Sequence, residues 1–313
     1  MAIRIVDGFG RPVNLSDFQA GRVRDVLVFD VTREGDYRLR ASDLGSGHME
    51  VTLQRDQTAK ELSWTGGQIE DHLEMVAKYK EEHEAEIRER SAKIAAQRAK
   101  KRVRQLCKAN GVDTLLTLTY RALETDLARV KADLKEFNRR VLRVLSDFGL
   151  VAAFELQKRG AWHVHAATCR VPRILETRTR NAKTGAIMVH RHKSYDLLRA
   201  IWRSVTKDRG GSVNLAKTRG RERSPARIAA YIAKYVTKAY AEGEKWTNRW
   251  TRYGFGDVPK PVDLGTWQNA REAIESCYAL LAEGSRIVSG IWSRWGEWFF
   301  LSAEREGSTM GFV

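Results

Sequence analysis

The stretch "ELQKRGAWHVH", Glu155 to His165, holds three side chains that can bind a metal ion or move a proton. His163 and His165 straddle one valine, and period two is strand spacing, so both imidazoles project from one face of a sheet. Lys158, Arg159 and Gly160 ahead of them read as a three-residue hairpin loop with its glycine in the left-handed position. That loop sets Gln157 opposite Ala161 and Glu155 opposite His163, with His165 next along on the same face. Two neutral nitrogens and a carboxylate suit a hard or borderline ion, Mg²⁺ or Mn²⁺, and leave positions open for substrate oxygens. A bare His-x-His carries little weight. "VHRHKS" holds a second one, His190 and His192, with no carboxylate partner, and reads as a solvated basic loop or as phosphate contacts.

The other chemistry-bearing stretch is "SPARIAAYIAKYVTK", Ser224 to Lys238. Ser224 can cap a helix and Pro225 can occupy its first position. At about 100° per residue, Arg227, Tyr231, Lys234, Tyr235 and Lys238 share one arc, and Ile228, Ile232, Val236 and Ala239 share its apolar neighbour. Tyrosines one turn apart often belong only to a core margin, and lysines to solvent. Beside a metal triad they suggest more. An unperturbed phenol, with a pKa of about 10, is a poor nucleophile at neutral pH, and cations stabilise its phenolate. The combination describes covalent cleavage of a nucleic-acid strand.

Elements to carry these groups are visible along the chain. Residues 1–67 alternate short apolar runs with turns and read as β-rich. Residues 68–110 are densely charged, contain neither glycine nor proline, and read as a long solvated helix or linker. In 111–245 the order is strand ("LLTLTY"), helix ("ETDLARVKADLKEFNRRVLRVL"), two strands around the histidine loop, then helices, which indicates an α+β domain with an antiparallel sheet. Residues 246–313 form an aromatic and basic C-terminal addition with one helix.

Lysine and arginine total 55 against 39 acidic residues, a net charge of +16 on 313 residues, which points first to a nucleic-acid partner. No apolar run suits a membrane span and "MAIRIVDGFG" is no secretory leader, so no membrane partner is expected. Cys107, Cys169 and Cys277 are too sparse for a disulfide framework or a zinc site, and are expected as free thiols in a reducing cytoplasm.

Three stretches in order resemble the HUH endonucleases, specifically the rolling-circle replication initiators of plasmids and bacteriophages. "LLTLTY" is similar to their first motif, "ELQKRGAWHVH" to the metal motif, and "YIAKYVTK" to the third motif in its two-tyrosine form. The resemblance covers about residues 113–240. It implies a ferredoxin- or RRM-like core, a central antiparallel sheet flanked by helices, with N-terminal β-rich and helical and C-terminal additions. It also implies that Glu155, His163 and His165 hold Mg²⁺ or Mn²⁺, and that Tyr235 attacks single-stranded origin DNA. A 5′-phosphotyrosyl link and a free 3′-OH would follow, Tyr231 rejoining the strand and Lys234 and Lys238 assisting with charge. Host helicase and polymerase would be partners, in the cytoplasm of a bacterial host.

"KWTNRWTRYGFG" interleaves rings with cations, so Arg249, Trp250 and Arg252, with Arg227 on the tyrosine helix, are candidate DNA contacts. The later group Trp292, Trp295, Trp298, Phe299 and Phe300 reads first as core packing over a sheet. A single-strand transposase of the same class and a non-catalytic nucleic-acid binder remain as alternatives. A cupin-type metalloenzyme would want a glutamate soon after the histidines, which "HVHAATCRVP" lacks.

Overall fold

The computed structural model describes residues 2–169, 171–217, 225–242 and 249–305. In chain order its elements begin β1 (Ala2–Val6), α1 (Leu15–Gln19), β2 (Leu27–Thr32), β3 (Tyr37–Gly45), β4 (His48–Arg55), β5 (Thr58–Leu62), α2 (Gly66–Glu82) and α3 (Glu84–Ala109). They continue with β6 (Thr114–Leu118), α4 (Leu127–Val141), β7 (Leu150–Leu156), β8 (Trp162–Thr168), β9 (Ile174–Arg180), β10 (Ile187–Lys193), α5 (Ser194–Thr206) and β11 (Val213–Lys217). The rest are α6 (Pro225–Glu242), β12 (Trp250–Tyr253), β13 (Val262–Trp267), α7 (Ala270–Ala279), β14 (Ser285–Trp292) and β15 (Trp298–Arg305). The fold is α+β, with antiparallel sheets throughout.

The chain divides into two compact units. One comprises residues 1–43, 47–91 and 260–313. It holds a three-stranded sheet, β1-β2-β5, and a five-stranded sheet, β13-β3-β4-β15-β14. The late strands β13 and β15 pair with the early strands β3 and β4, so the two ends of the sequence build one sheet. Phe299 is buried in that sheet's core with Leu39, Val51 and Cys277. Trp292, Trp295 and Trp298 instead lie at the surface, Trp295 78% exposed, which corrects their reading as core.

The other unit, residues 44–46 and 92–259, carries the chemistry. Its five-stranded sheet has the order β11-β6-β8-β7-β12. Helix α4 joins β6 to β7, a hairpin joins β7 to β8, and α5 precedes β11, giving the β-α-β-β-α-β arrangement of a ferredoxin-like core. Side chains alternate along each strand between two apolar layers. Leu116, Leu118, Phe154, Val164 and Ala166 pack with α4 and α5 through Val130, Phe137, Leu198 and Trp202. Val151, Ala153 and Ala167 face the other way, against Val103 and Leu106 of α3 and Ile228, Ile232 and Val236 of α6. Glu155, His163 and His165 share strand parity with this second face, the α6 face.

The insertion between β8 and α5 forms its own two-stranded sheet, β9-β10. His190 and His192 therefore sit on a paired strand, not in a loop. Their strand carries no buried side chain on either face, so no alternation announces it.

Candidate active site

Each functional side chain is placed by a separate feature of the sequence. Gly160, at φ +83°, closes the β7–β8 hairpin in the backbone region glycine enters most easily. The loop bonds Gln157 N–H to Ala161 O at 2.9 Å and Gly160 N–H to Gln157 O at 2.8 Å. Register follows: Glu155 pairs with His163 and Ala153 with His165. On the other side of β8, Thr117 of β6 pairs with His165.

His165 is held from both ends. Its Nε2–H donates to Glu155 Oε2 at 2.8 Å, since a carboxylate can only accept. Its Nδ1 faces the Thr117 hydroxyl at 3.4 Å. His163 is buried, and its Nε2 has no hydrogen-bond partner among the described residues. Burial first, then the positive potential of His165 and Arg159, depresses its pKa to about 4, against a smaller opposing pull from Glu155. It is a neutral imidazole with an unsatisfied buried nitrogen.

Helix α6 lies on β7 and β8 through Ile228, Ala229, Ile232, Ala233 and Val236, all buried. That seat turns Tyr235 inward. Its ring stacks on the His165 imidazole with centroids 3.9 Å apart and planes at 12°. Tyr231, one turn earlier and 42% exposed, accepts a 2.8 Å hydrogen bond from the Tyr235 hydroxyl. The two phenol rings meet edge to face at 5.0 Å. Burial, and then the bond to Tyr231, raise the Tyr235 pKa above the ordinary phenol value. In this arrangement Tyr235 is a protonated donor; deprotonation would require added positive charge nearby.

Arg227 and Lys234 are exposed on the same helix. Ser224, Lys245 and Trp246 and the side chains of Lys238 and Ala239 lie outside the described residues. Arg249 does not track a DNA surface: it is 4% exposed, its guanidinium 4.9 Å above the Trp162 ring. This corrects its reading as a DNA contact, because the alternation of β12 and its approach turns it inward. Trp250 is half-buried against the α6 layer. Arg252 is tied to the following loop, donating to Gly256 O at 3.1 Å and pairing with Asp257 at 2.6 Å.

Among the described residues, no three His, Cys, Asp or Glu side chains stand in metal-binding geometry. Glu155 and His165 spend their facing atoms on each other. The residue types nonetheless fit a divalent ion. His163 offers an orphaned, unprotonated nitrogen, and Glu155, its cross-strand neighbour, offers a carboxylate.

Residues 113–240 match the family model of the replication-associated proteins of the ORF2 group. No curated protein and no solved structure matches the chain. The matched segment runs from the entry to β6 through most of α6, so it contains Thr117, Glu155, both histidines and both tyrosines. The match supports a role in replication initiation. Among the described residues, no helix is long and apolar enough to cross a membrane.

Two features of this segment carry no local signal in the sequence. Thr117 meets His165 only through strand register, although "TLTY" alternation puts it on the right face. On the opposite face, Arg209 binds Asp133 Oδ2 and Glu124 Oε2, each at 2.7 Å, and the Tyr120 hydroxyl donates to Asp133 at 2.8 Å. These partners are far apart in sequence. Arg159 of the histidine hairpin donates to Tyr120 O at 3.3 Å, so the network also anchors the loop that sets the site's register. Tyr120 is thereby committed to structure and is no rival nucleophile.

Proposed function

We propose that the chain is a rolling-circle replication initiator of HUH type that nicks and rejoins single-stranded origin DNA. The observation that supports this most is the stacking of Tyr235 on His165, with Tyr231 in hydrogen-bond contact. A phenol pair, an imidazole–carboxylate pair and a buried nitrogen with no described hydrogen-bond partner share one sheet face.

The Tyr235 oxygen bonds to phosphorus as the P–O3′ bond breaks. The phenolic proton leaves to solvent and the 3′-oxygen takes one up, giving a 5′-phosphotyrosyl link and a free 3′-OH. That hydroxyl primes synthesis by a host polymerase, with a host helicase opening the duplex. Tyr231 attacks the regenerated junction, and its product is resolved by the 3′-OH, closing the strand. Glu155, His163 and His165 would hold Mg²⁺ or Mn²⁺, which when bound supplies positive charge beside the non-bridging phosphate oxygens. Lys234 and Lys238 add charge from α6, and Arg227 contacts a neighbouring phosphate. The match to a replication-associated family favours initiation over transposition.

The test is incubation of the purified chain with Mn²⁺ and labelled single strands covering the origin. A covalent adduct that survives denaturation, and disappears when both tyrosines are replaced by phenylalanine, is expected. DNA binding with no adduct in any metal would leave a non-catalytic binder.

A further inference from the structure

The β9–β10 ribbon has no part in the cleavage chemistry, yet its surface is specialised. Its seven residue pairs place Leu175, Thr177, Thr179, Met188, His190 and His192 on one face. At the base this face is turned inward: Leu175 is buried, and Thr177 binds His192 Nε2 at 3.1 Å. Thr179 binds His190 Nε2 at 2.8 Å, so both histidines are occupied by neighbours across the ribbon. The opposite face is exposed along its whole length. It presents Arg178, Arg180, Arg191 and Lys193, with Ile187 and Val189 exposed by 68% and 53%. Register sets Arg180 against Ile187 and Arg178 against Val189. Glu176 is its single acid, 3.4 Å from Arg191. Exposed branched aliphatics among cations have no use in a solvated hairpin.

We propose that this outer face is a duplex-DNA reader, distinct from the single-strand site. Dimensions agree. Strands about 4.8 Å apart and about 20 Å long fit a major groove about 12 Å wide, which admits a two-stranded ribbon. Composition agrees too: arginines meet phosphates and guanine edges, and aliphatic side chains meet thymine methyls. The ribbon pairs with no other strand among the described residues, so it can enter a groove without disturbing the five-stranded sheet. This inference rests on the reading of the chain as a protein that acts on DNA, but its readout is separate.

The experiment measures anisotropy of labelled mixed-sequence DNA, a duplex of about 30 base pairs and a single strand of the same length, between about 50 and 200 mM salt. The full chain is compared with Arg178→Ala/Arg180→Ala and with Arg178→Lys/Arg180→Lys, folding being checked by circular dichroism. The alanine pair is expected to weaken duplex binding by about tenfold or more and to lower the salt slope by about 2, while lysine retains both. Single-strand binding and adduct formation stay unchanged. Duplex affinity within about twofold of the parent overturns the proposal, as does an equal loss on single strands. A concentration-dependent dimer that the alanine pair abolishes, with duplex binding intact, assigns the face to self-association instead. If the parent forms no adduct yet the duplex loss is seen, the nicking account fails and this one stands.

Discussion

The Tyr235 ring lies flat on the His165 imidazole, 3.9 Å between centroids, while its hydroxyl reaches Tyr231 at 2.8 Å. The ring is thus positioned by contacts that do not need its oxygen. Tyr235→Phe should keep the stack and the fold and abolish the first covalent adduct. Tyr231→Phe should preserve that adduct and impair rejoining. Denaturing gels that separate nicked, adducted and rejoined strands check this, and equal loss of nicking in both variants contradicts it.

Thr117 is a positioning residue, acting on DNA only through His165. Thr117→Val removes the hydroxyl facing Nδ1 without altering strand propensity or size much. Loss of such an outer partner typically costs about 10- to 100-fold in metal affinity or activity. The Mn²⁺ concentration needed for half-maximal adduct should rise by about tenfold, with Thr117→Ser restoring it. An unchanged metal requirement contradicts the role.

Asp133 holds Arg209 and Tyr120 in the interior on the face opposite the site. Removing one member of such a network strands a buried charge. Asp133→Ala should lower unfolding free energy by about 3 kcal/mol, read from urea denaturation. It should also loosen the histidine hairpin through Arg159, seen as faster amide exchange at Lys158–Gly160.

Burial pushes the Cys107 thiol up to about 12 and the Cys277 thiol up to about 11. The folded chain should resist iodoacetamide at these positions near neutral pH and label fully in denaturant. The sign of the linkage is fixed: a thiol with a raised folded pKa binds its proton more tightly when folded. Stability is therefore complete below the ordinary thiol range and is lost as pH rises toward about 12. Cys107→Ala should flatten that alkaline loss in a pH series of thermal melts.

Much of the site could be read before the fold was known because its spacing is local. The Lys158–Gly160 loop determines that Glu155 faces His163, and helical period alone puts Tyr231 and Tyr235 together beside an apolar arc. What could not be read depends on contacts between distant segments. Nothing near Thr117 states that β6 lies beside β8, and nothing near Arg249 states that Trp162 will cover it. Strand β10 escaped because neither of its faces is buried, which erases the alternation that marks a half-buried strand. The pairing of β15 with β4 joins residues from opposite ends of the chain, which patterning cannot match.

The central claim is that one phenol of α6 becomes bonded to the 5′-phosphate of a cut strand. Mass spectrometry of the tryptic peptide carrying a trapped oligonucleotide tests it directly. The account predicts the added mass on Tyr235 in the parent chain, dependent on Mn²⁺ and absent in Tyr235→Phe. An adduct on any residue outside Tyr231 and Tyr235, or nicked DNA with no protein attached, would contradict it.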